Sequence, residues 1–178
     1  MKRDVTDQDL KRVIREVPDY PRPGINFYDL TTLFRDATAF RAATVRLAAP
    51  YRGGRLDAVA GIEARGLIVG AALAYELGVG LVTVRKQGKL PSRKQSQSYD
   101  LEYGKATIEV HSDAVEDGQS VLVVDDLLAT GGTAAAAGSL LGRLGARVVG
   151  YAFLVELQFL DGRSCIDHTE IFSVLQYE

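Results

Sequence analysis

The chain has 178 residues, a net charge of −2 and one cysteine, which suits a single domain with a proper buried core. The mild acidity excludes a general attraction to nucleic acid, and a lone cysteine, Cys165, excludes an internal disulfide framework. After Met1-Lys2-Arg3 the chain turns acidic with no apolar run, so no secretory signal is read, and a reducing, cytoplasmic setting is expected.

Thr6-Asp7-Gln8-Asp9 has capping-box spacing, with Asp in place of the usual Glu. Leu10, Val13, Ile14 and Val17 follow with helical spacing, and Pro18 is expected to end that helix. Pro21, Pro23 and Gly24 make a stiff passage to Ile25-Asn26-Phe27. Asp36 suits the N-cap of a second helix with Phe40, Ala43, Thr44 and Leu47 on one side. From Leu56 the chain alternates. Leu56 to Gly61 reads as a strand, Gly66 to Leu77 as a helix, and Leu81 to Arg85 as a strand. Lys86 to Ser98 is polar and basic and is expected to be a long loop, a kind of segment that usually has a function. Strands are expected at Ala106 to Val110, Val121 to Val124, Val148 to Val155 and Ile171 to Leu175, with a helix from about Thr133 to Leu144. The alternation predicts an α/β fold: an open, mostly parallel twisted sheet flanked by helices, single-domain throughout.

The richest stretch is Val121 to Thr133. A short apolar run reads as a strand buried on both faces, and two carboxylates, Asp125 and Asp126, stand at its end. Ala129, Thr130, Gly131, Gly132 and Thr133 then lead into an Ala-rich helix. Ligands of open α/β sheets gather beyond the carboxyl ends of strands. A Gly-rich turn at a helix N-terminus offers free N–H groups to a phosphate. Two acids beside it suit the hydroxyls of a sugar. Asp-Asp after a strand can also be a plain solvated turn, and Gly-Gly a plain bend. The order of the features favours a ribose 5-phosphate. This reading requires an open cavity at the bend.

With these residues in view, the chain resembles the type I phosphoribosyltransferases, and among them those that use adenine. The resemblance spans nearly the whole length. It is carried by Asp19 to Asp29 (DYPRPGINFYD), Glu63-Ala64-Arg65-Gly66, Arg85 to Pro91 (RKQGKLP), Tyr99 to Lys105 (YDLEYGK), Val121 to Thr133 and the closing Leu175-Gln176-Tyr177-Glu178. It implies the type I phosphoribosyltransferase fold, with an N-terminal hood over residues 1–35 and a core over 36–178. It implies joining of adenine to 5-phosphoribosyl 1-pyrophosphate (PRPP), giving AMP and pyrophosphate, with Mg²⁺ held mainly by substrate and no direct protein ligand.

The resemblance also implies roles. Asp125 and Asp126 hold the ribose hydroxyls, and Ala129 to Thr133 hold the 5-phosphate. Arg65, Arg85, Lys89 and Tyr103 contact pyrophosphate, and Arg65 is also a catalytic residue through its stabilisation of that leaving group. Arg65 would otherwise be a surface arginine at a helix start, an unfavourable place for a cation. Lys86 is taken as a bystander. Phe27 stacks on adenine, Asn26 and Tyr28 read its edge largely through backbone groups, and Leu157 covers the other face; by residue type alone, Phe27 and Leu157 equally suit the core. Residues 87–103 correspond to a mobile flap, whose tip, Ser92 to Ser98, is more basic than the family pattern leads one to expect. Glu102 matches the catalytic carboxylate, which either assists proton transfer at the purine or offsets positive charge. Members of this family are homodimers, so a homodimer is expected.

Other signals fail. Gly66 to Val84 carries only Glu76 as a charge, but Gly78 and Gly80 interrupt it, so a helix and a strand are expected there instead of a membrane span. Gly78-Val79-Gly80 lacks the third glycine of a dinucleotide fingerprint. Cys165 and His168 have the spacing of half a zinc site with no second half. His111 and His168 belong to no nucleophile motif. Two other readings remain: an enzyme for another purine such as xanthine or hypoxanthine, and a non-enzymatic PRPP-sensing regulator.

Overall fold

The computed structural model describes residues 4–100, 104–167 and 170–178. Helix α1 spans Asp7–Val13, and its capping box forms as expected, with Thr6 and Asp9 each accepting from the other's backbone. The apolar stripe does not continue as helix. Ile14 is already extended, and Val17 lies in strand β1, Arg15–Val17, which pairs antiparallel with β2, Phe27–Asp29. Three β-branched residues between Val13 and Val17 weaken the helix there, and a strand partner is supplied from beyond the Pro-rich passage.

Helices α2, Thr31–Arg35, and α3, Ala37–Ala48, follow; Asp36 caps α3 by accepting from Thr38 and Ala39 N–H groups at 2.9 Å. The main sheet then forms from β3 (Ala58–Ile62), β4 (Gly80–Lys86), β5 (Lys94–Asp100), β6 (Lys105–His111), β7 (Ser120–Leu128), β8 (Arg147–Leu157) and β9 (Ile171–Tyr177). Its order is β5-β6-β4-β3-β7-β8-β9. Pairs β4·β3, β3·β7, β7·β8 and β8·β9 are parallel; β4·β6 and β5·β6 are antiparallel. The expected open, mostly parallel sheet is therefore present.

Helix α4, Arg65–Leu77, packs with α1 and α3 on one face of the sheet, around Leu10, Leu47, Leu73, Leu122 and Leu154. Helix α5, Gly132–Arg143, covers the other face around Val123, Leu140, Leu141 and Phe153. Gly78, at φ +69°, ends α4, so the apolar stretch from residue 66 to 84 is a helix and a strand. Among the described residues no helix is long and apolar enough to cross a membrane.

The expected loop over residues 86–98 is corrected. Lys94 to Asp100 is an edge strand, paired with β6 from Lys94↔His111 to Asp100↔Lys105. Most of its side chains are exposed, so it lacks the apolar face that periodicity detects. Glu109, 4% exposed, fixes the base of this hairpin. It accepts from Gly88 N–H and from Lys94 Nζ, both at 2.9 Å. The basic character of the segment thus has a partly structural cause, because Lys94 neutralises a covered acid.

Candidate functional site

The parallel strands β3, β4 and β7 end together, and the residues that follow them share one edge. Gly61 is level with Val124, and Ile62 with Val84. Glu63, Arg85 and Asp125 to Asp126 are therefore brought side by side from three separate stretches.

Strand β7 is longer than expected and runs through both acids to Leu128. Asp125 and Asp126 thus alternate within a strand and leave on opposite sides of it. Asp126 is 5% exposed and meets Arg65, with Nε 2.9 Å from Oδ2. The approach is off-line, so Oδ2 accepts no aligned hydrogen bond among the described residues. Asp125 Oδ1 accepts the Asp126 N–H at 2.8 Å. Burial raises the Asp125 pKa well above its ordinary 3.8, and the adjacent Asp126 adds to the rise. Burial also raises Asp126, against the pull of Arg65.

Arg65 starts α4, directly after Glu63 and Ala64, whose peptide bond is cis. Small residues bring this turn close to the sheet. A β-carbon on Gly66 would lie 2.5 Å from Asp125 Oδ1 and 3.0 Å from Val124 O. The Arg65 guanidinium sits over the Phe27 ring, 5.2 Å from its centroid. Phe27 also packs edge-on to Tyr20 at 5.3 Å. The hood strand β2 thereby reaches the edge of the sheet.

Arg85 does not project freely. Its Nε donates to Glu63 Oε2 at 3.0 Å, and the Lys86 N–H donates to the same oxygen at 2.8 Å. The Arg85 hydrogen bond, followed by that from Lys86, holds the Glu63 carboxyl below its ordinary range.

A cavity of about 650 Å³ opens here, lined among others by Arg65, Lys86, Tyr99, Asp125, Asp126 and Thr133. Lys86 and Tyr99, neither assigned a role from sequence, line it, whereas Lys89 is exposed and Arg85 is tied to Glu63. Gly88, at φ +80°, makes the turn between Lys86 and Lys89.

A smaller hollow of about 80 Å³ adjoins it, lined by Asp125, Phe153 and the turn from Ala129 to Thr133. Gly131, at φ +81°, precedes α5 and supplies no side-chain cap. The first-turn N–H groups of α5 are therefore left for a ligand oxygen. The Thr133 hydroxyl donates to Tyr99 Oη at 3.1 Å, linking β5 to this turn.

The remaining expected residues fall elsewhere. Asn26 is exposed and donates to Glu16 at 2.8 Å. Tyr28 packs on Tyr177 with ring centroids 4.3 Å apart, so its side chain faces the core. Leu157 is 7% exposed within the α1/α3/α4 core and lines neither cavity. Glu102, Tyr103 and His168 lie outside the described residues, and Cys165 is exposed. No cluster of three or more His, Cys, Asp or Glu suited to a metal occurs among the described residues.

The arrangement offers acids for hydroxyls, cations for an anion and helix amides for a phosphate, around one space. Comparison with known proteins agrees with this chemistry. The phosphoribosyl transferase domain matches residues 35–172. The adenine phosphoribosyltransferase of Geotalea uraniireducens is 49% identical over 169 residues, covering 95% of this chain and 99% of that one. The crystal structure of adenine phosphoribosyltransferase from Thermoanaerobacter pseudethanolicus superimposes with a TM-score of 0.94 at 49% identity, over 97% of this chain and 100% of that one. The Saccharomyces cerevisiae enzyme, complexed with adenine and an imino-altritol bisphosphate, has a TM-score of 0.89 at 39% identity, over 95% and 98% of the two chains.

Proposed function

The chain belongs to the phosphoribosyltransferase family, and from that premise we infer that it converts adenine and PRPP to AMP and pyrophosphate. It is a pentosyltransferase of purine salvage. The carrying observation is the cavity at the end of β7, where Asp126 and Arg65 meet beside the uncapped start of α5.

In this reading the 5-phosphate sits on the amides of Gly131 to Thr133, helped by the Thr130 and Thr133 hydroxyls, with Ala129 lining the turn. Asp125 and Asp126 accept from the ribose hydroxyls, and Asp126 Oδ2, buried without an aligned partner, awaits such a donor. Arg65 and Lys86 stabilise the leaving pyrophosphate, with Arg85, Lys89 and Tyr103 supporting them. Phe27 stacks on the purine and β2 presents the backbone of Asn26 and Tyr28 to its edge, while Leu157, buried in the core, has no direct contact with the base in this reading. Residues 1–35 act as the hood and 87–103 as the flap. The purine nitrogen forms a bond to the anomeric carbon as the carbon–oxygen bond to pyrophosphate breaks, the electron pair leaves with pyrophosphate, and the ring N–H proton of the purine passes to a carboxylate or to solvent. Glu102 is the carboxylate assigned beside the purine. Exclusion of water by the flap prevents hydrolysis of the cationic centre.

The site suits Mg²⁺ in this role. Its carboxylates are oxygen donors, yet Arg65 already faces Asp126, which favours a cation carried by substrate oxygens. Such an ion would neutralise charge on the pyrophosphate. A cytoplasmic homodimer completes the reading.

Pyrophosphate release assayed with adenine, hypoxanthine, xanthine and guanine, with and without Mg²⁺, tests it. Adenine alone should support rapid, Mg²⁺-dependent turnover. Preference for another purine would replace the substrate, and no release with any purine from a folded preparation would favour a PRPP sensor. Asp126→Ala and Glu102→Ala should each lower turnover at least about tenfold with the fold retained, as expected where transition-state interactions are removed. Unchanged turnover in either would remove that residue from the mechanism.

A further inference from the structure

The turn assigned to the 5-phosphate is not held by its own strand and helix alone. A β-carbon on Gly131 would lie 2.1 Å from Gly162 O, and one on Gly162 would lie 2.1 Å from Ala129 O. Two glycine backbones thus lie against each other with no room for a methyl group. The second belongs to the segment after β8, where a short 3₁₀ turn spans Gly162–Cys165. That segment needs an anchor, and Arg163 supplies one. Its Nε and Nη2 donate to the two Glu156 oxygens at 2.6 and 2.7 Å, and Nη1 donates to Ile171 O at 3.2 Å. Glu156 is 3% exposed and lies in β8 opposite Leu128, the residue before the phosphate turn. Both ends of the clasp therefore flank the same turn.

We propose that Arg163, clasped to Glu156, is a positioning residue that presses Gly162 against Ala129 and Gly131 and so sets the shape of the 5-phosphate cradle. A surface arginine forming a single contact would carry no such role, because exposed ion pairs contribute little. Here the acceptor is buried, the fork is bidentate, and the neighbouring residue in the chain touches the cradle. The Arg163 hydrogen bonds hold the Glu156 carboxyl below its usual range, as expected of a lasting clasp. A phosphate is gripped by several amides at once, so small displacements of one side weaken it.

The inference rests on the assignment of the turn to the 5-phosphate, and the experiment separates the two. Ribose 5-phosphate and, separately, inorganic pyrophosphate are titrated calorimetrically into the wild type, Arg163→Met and Gly162→Ala, with melting curves for each. Wild type should bind both. Each variant should lose about tenfold or more in ribose 5-phosphate affinity, about 1.4 kcal/mol per tenfold, while pyrophosphate affinity stays within about twofold. Arg163→Lys, which keeps the charge without the fork, should recover part of the loss, and carries the comparison if Arg163→Met does not fold. Unchanged ribose 5-phosphate affinity in folded variants overturns the proposal. An equal fall for both ligands also overturns it, since that marks general loosening. Failure of the wild type itself to bind ribose 5-phosphate overturns the assignment of the turn.

Discussion

At the scale of single residues, the site stores its charge against the fold. Asp125 and Asp126 are adjacent acids in a buried strand, and both are pushed toward the neutral form. An acid whose pKa is higher folded than unfolded makes the native state bind more protons. Stability then falls as pH rises from near 3.8 through the raised value. Asp125→Asn should therefore melt higher than wild type at pH 7, with the gain shrinking as pH approaches about 4. Activity should fall at least about tenfold, because an amide cannot accept equally from two hydroxyls. A variant that melts lower at pH 7 would contradict the burial argument. Glu63 and Glu156 act oppositely. Their hydrogen bonds from Arg85 and Arg163 lower their pKa values, so they contribute stability above the ordinary 4.5 that is lost as pH falls through the lowered values. Residue identities in the turn were legible because Asp125 to Thr133 are contiguous. The pairing of Arg65 with Asp126 was not, since it depends on how closely Gly66 lets α4 approach β7. Lys86 was passed over in favour of Lys89 because charge runs carry no direction until the Gly88 turn is known.

Between elements, the hairpin of β5 and β6 is the part that sequence described least well. Its first strand was expected as loop because no side chain of Lys94–Asp100 is buried and only Gln97 and Tyr99 are half-buried, so no apolar face marks it. An edge strand with polar, basic side chains resists further pairing, so composition there reflects protection of an edge. What holds it down comes from α5. The last-turn Arg143 donates to Ser96 O at 3.0 Å and also to the Gln97 side chain. At the other end Tyr99 accepts from Thr133. The strand proposed as the flap's first arm is thus fastened to the same helix whose N-terminus is proposed to hold phosphate. Arg143→Ala should free it. Limited trypsin digestion should cut after Arg93 or Lys94 several-fold faster than in wild type, on the order of the gain expected when local opening becomes easier. Saturating PRPP should slow that cleavage in both proteins if the hairpin closes over substrate. Equal cleavage rates would show that Arg143 does not restrain β5.

Over the whole molecule, the fold class was legible because crossover helices between apolar strands permit few topologies, and the α4 and α5 stretches alternate with β3, β4, β7 and β8. Assembly is a different matter, since a surface that pairs with a second copy looks like misplaced core. Helix α4 carries the face we propose for the second copy. Ile68 is 46% exposed and Tyr75 92% exposed, and seven residues place them two turns apart on one face. Leu81, at the start of β4, is also exposed. Ile68 lies one turn after Arg65, so a partner seated on this face would come within reach of the pyrophosphate end of the cavity. If the proposed homodimer uses this face, its second copy would therefore stand close to the cavity. Tyr75→Asp places a charge in the middle of the face without touching the cavity. It should shift sedimentation equilibrium toward monomer at micromolar concentration, since burying an unpaired charge costs several kcal/mol. Turnover should fall in parallel with the loss of dimer and recover as protein concentration rises. A variant that remains dimeric with full turnover would place the subunit contact on another face and leave α4 with an exposed tyrosine that needs no partner.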